Sequence, residues 1–225
     1  MMTMTRKNGG FTLVEMAVVL VIVGLMLGGL IGPISAQMEQ RSYLETRQRL
    51  GEIKEALLGF AILNGRLPCP STTVDPASAL FGVEDATCPL AGATTDGYLP
   101  WKTLGVTATD AWGSGQTSAT AGMVGYWRYR IDRNFAVAFN MTTSFSVDAL
   151  KVQDSVGNSL TTTERPVAIV YSTGKNRSPD GANASYEAAT GVYESDAQSP
   201  AFDDVVMWLG RPLLMNRMVA AGKLP

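Results

Sequence analysis

Between Phe11 and Ile34 the chain carries a single ionisable side chain, Glu15. Any fold must accommodate this apolar run, which continues to about Ala36. As a helix it is long enough for a bilayer core, which takes about 20 apolar residues. Arg6 and Lys7 precede it and no comparable basic cluster follows. That asymmetry predicts a cytoplasmic N-terminus with the remainder outside. A conventional secretory signal cut near Ala36 fits less well. The apolar region is too long and contains Glu15, and bulky Ile34 stands where a small residue is wanted.

Glu15 needs a partner. A carboxylate at the centre of a membrane helix costs about 2.5–3.5 kcal/mol on insertion scales. Cleavage after Gly10 would free the α-amine of Phe11, whose unperturbed pKa of about 7.7–8.0 leaves it mostly positive at neutral pH. Four residues span about 6 Å along a helix, so the pair is poorly aligned within one chain. Between two staggered copies, Glu15 of one can meet the Phe11 amine of the next, with little screening in hydrocarbon. Gly24, Gly28 and Gly32 recur every fourth residue and let helix backbones approach closely. They and Pro33 also weaken the helix locally.

The order of basic leader, Gly10-Phe11-Thr12-Leu13-Val14-Glu15 and apolar run resembles the N-terminus of the type IV pilin and pseudopilin family. The resemblance implies that a prepilin peptidase cuts after Gly10, that Phe11 becomes N-methylated, and that Glu15 serves assembly. It implies as partners other pilin or pseudopilin subunits, the peptidase, an inner-membrane assembly platform and membrane lipid. The expected divisions are a leader peptide over 1–10, a transmembrane half-helix over 11–36, an amphipathic half-helix over 37–65 and a globular head over 66–225. The segments Gly65-Arg66-Leu67-Pro68-Cys69-Pro70, Ser172-Thr173-Gly174-Lys175-Asn176 and Phe202-Asp203-Asp204 also resemble those of large pilin-like proteins of Gram-negative bacteria.

Composition narrows the chemistry. Histidine is absent from the 225 residues, which removes Ser-His-Asp and Cys-His catalysis and every histidine metal site. A net charge of −2 leaves no footprint for nucleic acid, and none is expected as a partner. Cys69 and Cys88 form an even pair beyond the apolar run, which suggests a disulfide; two free thiols are the alternative.

Leu50, Ile53, Leu57, Phe60 and Ala61 follow the spacing of one helix face, and Asn64-Gly65 is a plausible helix stop. Residues 66–122 predict mostly loop, within which Asp110-Ala111-Trp112-Gly113 resembles the turn that precedes the first strand in major pseudopilins. In Gly125–Asp132, Trp127, Tyr129 and Ile131 alternate with Tyr126, Arg128 and Arg130, which predicts a strand with a packed face and a solvated arginine face. Further strands are expected at Phe135–Phe139, Val147–Val152 and Pro166–Tyr171. A short helix follows, with Pro212 near its start and Gly222 past its end.

Ser172-Thr173-Gly174-Lys175-Asn176 fails as a phosphate loop, because Ile169 stands where the first glycine belongs and Asn176 where Ser or Thr belongs. The polar loop over 177–203 carries Asp180, Glu187, Glu194, Asp196 and Asp203, with Asp204 next. Oxygen-rich loops suit calcium, but EF-hand spacing is absent. A solvated loop is the leading reading, with calcium the alternative; no cofactor and no metal ligand are otherwise expected. Asp203 and Asp204 are adjacent, so within a strand they would face opposite sides.

These readings predict an α+β fold: a long N-terminal transmembrane and amphipathic helix packed on a small antiparallel β-sheet head, pilin-like. The expected function is a structural subunit, a minor one, of a type IV pilus or type II secretion pseudopilus. It would sit in the bacterial inner membrane with the head periplasmic and enter a filament through the helix. The alternative is a pilin-like adhesin or DNA-uptake binding subunit. No enzymatic activity is expected, because no nucleophile with a base and no metal spacing stands out.

Overall fold

The structure, a computed structural model, describes residues 10–85, 87–88, 96–113, 115–118, 122–147, 150–162, 165–188 and 191–224, without the side chains of residues 27–34, 118, 122 and 185–188. The leader with Arg6 and Lys7, the side chains of Gly28, Gly32 and Pro33, and that of Glu187 lie outside the described residues.

The chain divides into two compact units, Met1–Ser42 and Tyr43–Pro225. Helix α1, Leu13–Asn64, is 52 residues long. It ends as the sequence predicts. The Gly65 amide closes on the Ala61 carbonyl at 2.8 Å, and Gly65 takes a left-handed φ of 69°.

The membrane reading is corrected. Among the described residues no helix is long and apolar enough to cross a membrane. Glu15 puts a carboxylate in the first turn of α1. From Glu39 onward α1 carries charges on most turns. The expected transmembrane half-helix, the single-pass inner-membrane placement and the lipid contacts are therefore set aside. The pilin-like fold class is replaced by a small α+β fold with a modest sheet.

In the unit Tyr43–Pro225, four strands form one antiparallel sheet in the order β1-β4-β6-β8. They are β1 (Asp96–Tyr98), β4 (Arg128–Ile131), β6 (Pro166–Ser172) and β8 (Val205–Gly210). Two further pairs stand apart: β2 (Gln116–Ser118) with β3 (Gly122–Val124), and β5 (Lys151–Gln153) with β7 (Val192–Glu194). The β5–β7 pair is parallel, which the expectation of a purely antiparallel head did not include. Helices α2 (Trp101–Leu104) and α3 (Arg211–Ala220) are short.

One face of the sheet meets α1. Leu50, Ile53, Leu57, Leu58 and Ala61 are buried with Trp127, Tyr129, Ile131, Val170 and Leu209. The expected stripe differs in one residue: Leu58 is buried, while Phe60 is half-exposed with the Arg66 guanidinium 5.3 Å from its ring centroid. The opposite face packs Ile169 and Tyr171 against Leu150, Val152 and Tyr193. Covered on both sides, β6 is buried along all of its length, so its sequence is a continuous apolar run rather than an alternation.

The same covering corrects the solvated arginine face. Arg130 is 4% exposed, and Arg128 lies 4.4 Å over the Tyr98 ring. The expected strand at Phe135–Phe139 is also absent. Asp132 accepts from the Asn134 and Ser146 amides, and Arg133–Phe135 forms a turn of 3-10 helix instead.

The segment after α1 is clamped at two points. Cys69 and Cys88 form a disulfide with Cα atoms 5.7 Å apart. Beside it Arg66 makes a two-pronged ion pair with Glu84 at 2.8 and 2.9 Å, and Glu84 also accepts from the Cys69 amide at 3.1 Å. Burial works against an ionised Glu84, but its bonds to Arg66 and Cys69 outweigh it and hold its pKa below the ordinary value.

Candidate functional site

Two places gather the residues that the sequence singled out. The first is the start of α1. Thr12 stands before its first turn, and its Oγ1 accepts from the Glu15 amide at 3.2 Å. In return, Glu15 Oε2 accepts from the Thr12 amide at 3.0 Å and from Thr12 Oγ1 at 3.1 Å. This is a reciprocal capping box, in which each residue satisfies a backbone donor left open at the helix start.

Glu15 thus has a partner within its own chain, Thr12. Thr12-Leu13-Val14-Glu15 carries the capping signature in plain view, and the spacing Ser/Thr-x-x-Glu would have found it. Gly10 is exposed, and Phe11 is 74% exposed, immediately outside the helix. Gly10, Phe11 and Glu15 are therefore all exposed at the start of α1. Downstream, Leu13, Val14, Leu20, Val21 and Leu25 are exposed within their own unit.

The second place is an acidic cluster formed by two loops. One follows β6 and carries Asp180; the other precedes β8 and carries Asp203 and Asp204. One carboxylate oxygen from each of the three lies within 4.8 Å of the others. Asp203 and Asp204 sit before the strand, not in it, so the expectation that they would face opposite sides does not hold.

Backbone amides stitch the two loops together. Asp203 Oδ2 accepts from the Asn176 amide at 2.9 Å, Asp180 Oδ2 from the Asp203 amide at 2.8 Å, and Asp204 Oδ2 from the Asp180 amide at 2.9 Å. Asn183 donates to Asp204 Oδ2 at 2.9 Å, and Asn183 itself is fastened to the Glu194 backbone through both ends of its amide. Gly174 has a φ of 61°, and a Cβ there would run into Asp203 Oδ1 and the Asp203 carbonyl. The Ser172–Asn176 segment, rejected as a phosphate loop, instead supplies the close wall of the cluster.

The electrostatics are costly. Asp204 is 3% exposed, and burial, with Asp180 and Asp203 nearby, pushes its pKa up to about 7. Burial and Asp180 also raise that of Asp203. Asp203 Oδ1 and Asp204 Oδ1 are buried and have no hydrogen-bond partner among the described residues. An unsatisfied buried carboxylate oxygen is expensive, and a cation would satisfy it.

The cluster is braced from the side. Ser172 Oγ donates to Asp110 Oδ2 at 2.6 Å and accepts from the Gly174 amide at 3.0 Å. The turn that holds Asp110 is tied to α1 through Arg49, which donates to the Thr109 and Asp110 carbonyls, and through Thr46 Oγ1, which accepts from the Ala111 amide. The turn at Asp110–Gly113 is thereby a strut between α1 and the wall of the cluster. Cys69 and Cys88 are joined elsewhere and belong to neither place.

Residues 5–31 match the model of the prokaryotic N-terminal methylation motif. The chain therefore carries an N-terminal signature of the kind found in prepilin-type proteins, and it lies on the residues that open α1. No curated protein and no solved structure matches the chain.

Proposed function

We propose that the chain is a filament subunit of the type IV pilus or type II secretion pseudopilus kind, cut by a prepilin peptidase after Gly10 and methylated on Phe11. The observation that carries this reading is the coincidence of the methylation motif with an exposed, capped helix start. A peptidase needs an accessible bond, and the one between Gly10 and Phe11 lies just outside the first turn. The exposed apolar side chains that follow need cover, and the equivalent helices of further copies would provide it. Glu15 Oε1, without a partner among the described residues, is left for the freed amine of the next copy's Phe11. The reading assigns the chain no catalysis.

Mass spectrometry of the native protein tests the processing step. The mature chain should begin at Phe11 and be one methyl group heavier than its sequence. An intact leader overturns the reading. Glu15→Ala should still be cut but should enter filaments poorly; normal incorporation removes the assembly role.

The orphan oxygen of Asp204 favours a second reading, on the head. Asp180, Asp203 and Asp204 would hold a hard divalent cation, calcium by preference, because the donors are all oxygens and magnesium usually retains several waters. The cation would supply the charge and coordination that the two buried Oδ1 atoms lack. Calorimetric titration of the chelator-stripped chain with calcium should show one saturable site, silent in Asp204→Asn. No heat in the unmodified chain defeats the reading.

A further inference from the structure

Strand β8 is an edge of the four-stranded sheet: it pairs with β6 on one side and with no strand on the other among the described residues. Natural sheets blunt such edges with lysine, proline, bulges or short strands, because an open edge invites another chain. β8 has none of the side-chain devices. It is six residues long, Val205-Val206-Met207-Trp208-Leu209-Gly210, without charge or proline.

Alongside the edge runs a groove of about 360 Å³, lined by Arg47, Leu50, Gly51 and Lys54 of α1 and by Val205–Trp208. Arg47, Gly51 and Lys54 share one stripe of α1, being four and three residues apart. Gly51 leaves the middle of that stripe open, since a Cβ there would meet nothing within 4 Å. Of the two cations that flank the gap, Arg47 lies 5.5 Å over the Tyr43 ring, and neither it nor Lys54 forms an ion pair among the described residues.

We propose that this groove receives an extended, acidic segment of another protein, which adds to the sheet as a strand beside β8. The open backbone of β8 supplies main-chain hydrogen bonds, and Arg47 and Lys54 select carboxylates on the added strand. The charge pattern decides the class of partner. On a chain of net charge −2, this pair of cations without carboxylate partners among the described residues, beside an apolar edge, favours acid over base. The inference rests on the Tyr43–Pro225 unit alone and stands or falls separately from filament assembly and cation binding.

The test uses the full chain in mild detergent and a fluorescein-labelled peptide of alternating valine and glutamate, followed by fluorescence anisotropy. A valine–lysine peptide and a valine–glutamate peptide with alternate backbone nitrogens methylated serve as comparisons. The glutamate peptide should bind and both comparisons should fail. The double variant Arg47→Glu, Lys54→Glu should weaken binding on the order of tenfold or more while the chain keeps its circular dichroism spectrum. Equal binding of the lysine peptide overturns the charge selection, and equal binding of the methylated peptide overturns the strand addition. Sedimentation of the chain alone covers the remaining occupant. Self-association that the double variant abolishes and the glutamate peptide does not displace would give the groove to a second copy and overturn the proposal.

Discussion

Asp204→Asn separates the cost of the acidic cluster from its use. In the folded chain burial raises the Asp204 pKa from 3.8 to about 7. A raised carboxyl pKa means that the folded state holds a proton which the unfolded state has released. Stability from this group therefore falls as pH rises from about 4 to about 7, and stays lost above that. Three units correspond to a ceiling of about 4 kcal/mol, on the order of a third or more of a typical domain's stability. Asparagine keeps an oxygen for the Asp180 and Asn183 donors and carries no charge, so it should escape the cost. Chemical denaturation in chelator, run from pH 4 to pH 8 on both chains, is the assay. Asp203 and Asp110 carry raised pKa values as well, so the difference between the two chains, not either profile, reports Asp204 together with its coupling to Asp180 and Asp203. The variant should be the more stable at pH 8 by a few kcal/mol, and the two should converge near pH 4. Calcium should then close most of the gap, stabilising the unmodified chain by about 2.7 kcal/mol at a hundred times its dissociation constant and leaving the variant unchanged. Parallel pH profiles, or equal stabilisation of both chains by calcium, would refute the reasoning.

Other perturbations address the frame around the site. Replacing both Cys69 and Cys88 by alanine opens a loop with a sequence separation of 19 and should cost about 3 kcal/mol in urea denaturation. Arg66→Met leaves Glu84 half-buried and without its cation, and should cost about 2 kcal/mol, the loss shrinking as pH falls below the ordinary glutamate value and Glu84 protonates. Gly174→Ala places a methyl group against Asp203 at a left-handed φ, and should abolish calcium binding in calorimetry while the far-ultraviolet circular dichroism of the sheet persists.

Much of the frame was legible because its causes are local. The end of α1 follows from Asn64-Gly65, where the next residue adopts a conformation that glycine takes readily. The stripe from Leu50 to Ala61 follows from helical spacing, and α3 from a proline at its start with Gly222 at φ 67° past its end. The capping box is equally local, but a reading of Glu15 as a charge in hydrocarbon does not see it as the third residue after a helix-starting threonine. The strand expected at Phe135–Phe139 failed for a similar reason. The apolar residues there satisfy a strand pattern, but the Asp132 carboxylate reaches the Asn134 and Ser146 amides and coils the segment instead.

What the sequence by itself determined is therefore what a few neighbouring residues decide: where helices start and stop, which face of a helix or strand is apolar, and which N-terminal motif the chain carries. Tertiary structure alone decided that Arg130 is buried, since periodicity names a strand's two faces but not whether something covers the second. It alone brought Asp180 to Asp203 and Asp204, more than twenty residues away, through hydrogen bonds between two loops whose separate sequences show only scattered acids. A carboxylate's cost depends on what surrounds it in space, and that is set by the packing of segments that have no reason in their own sequences to meet.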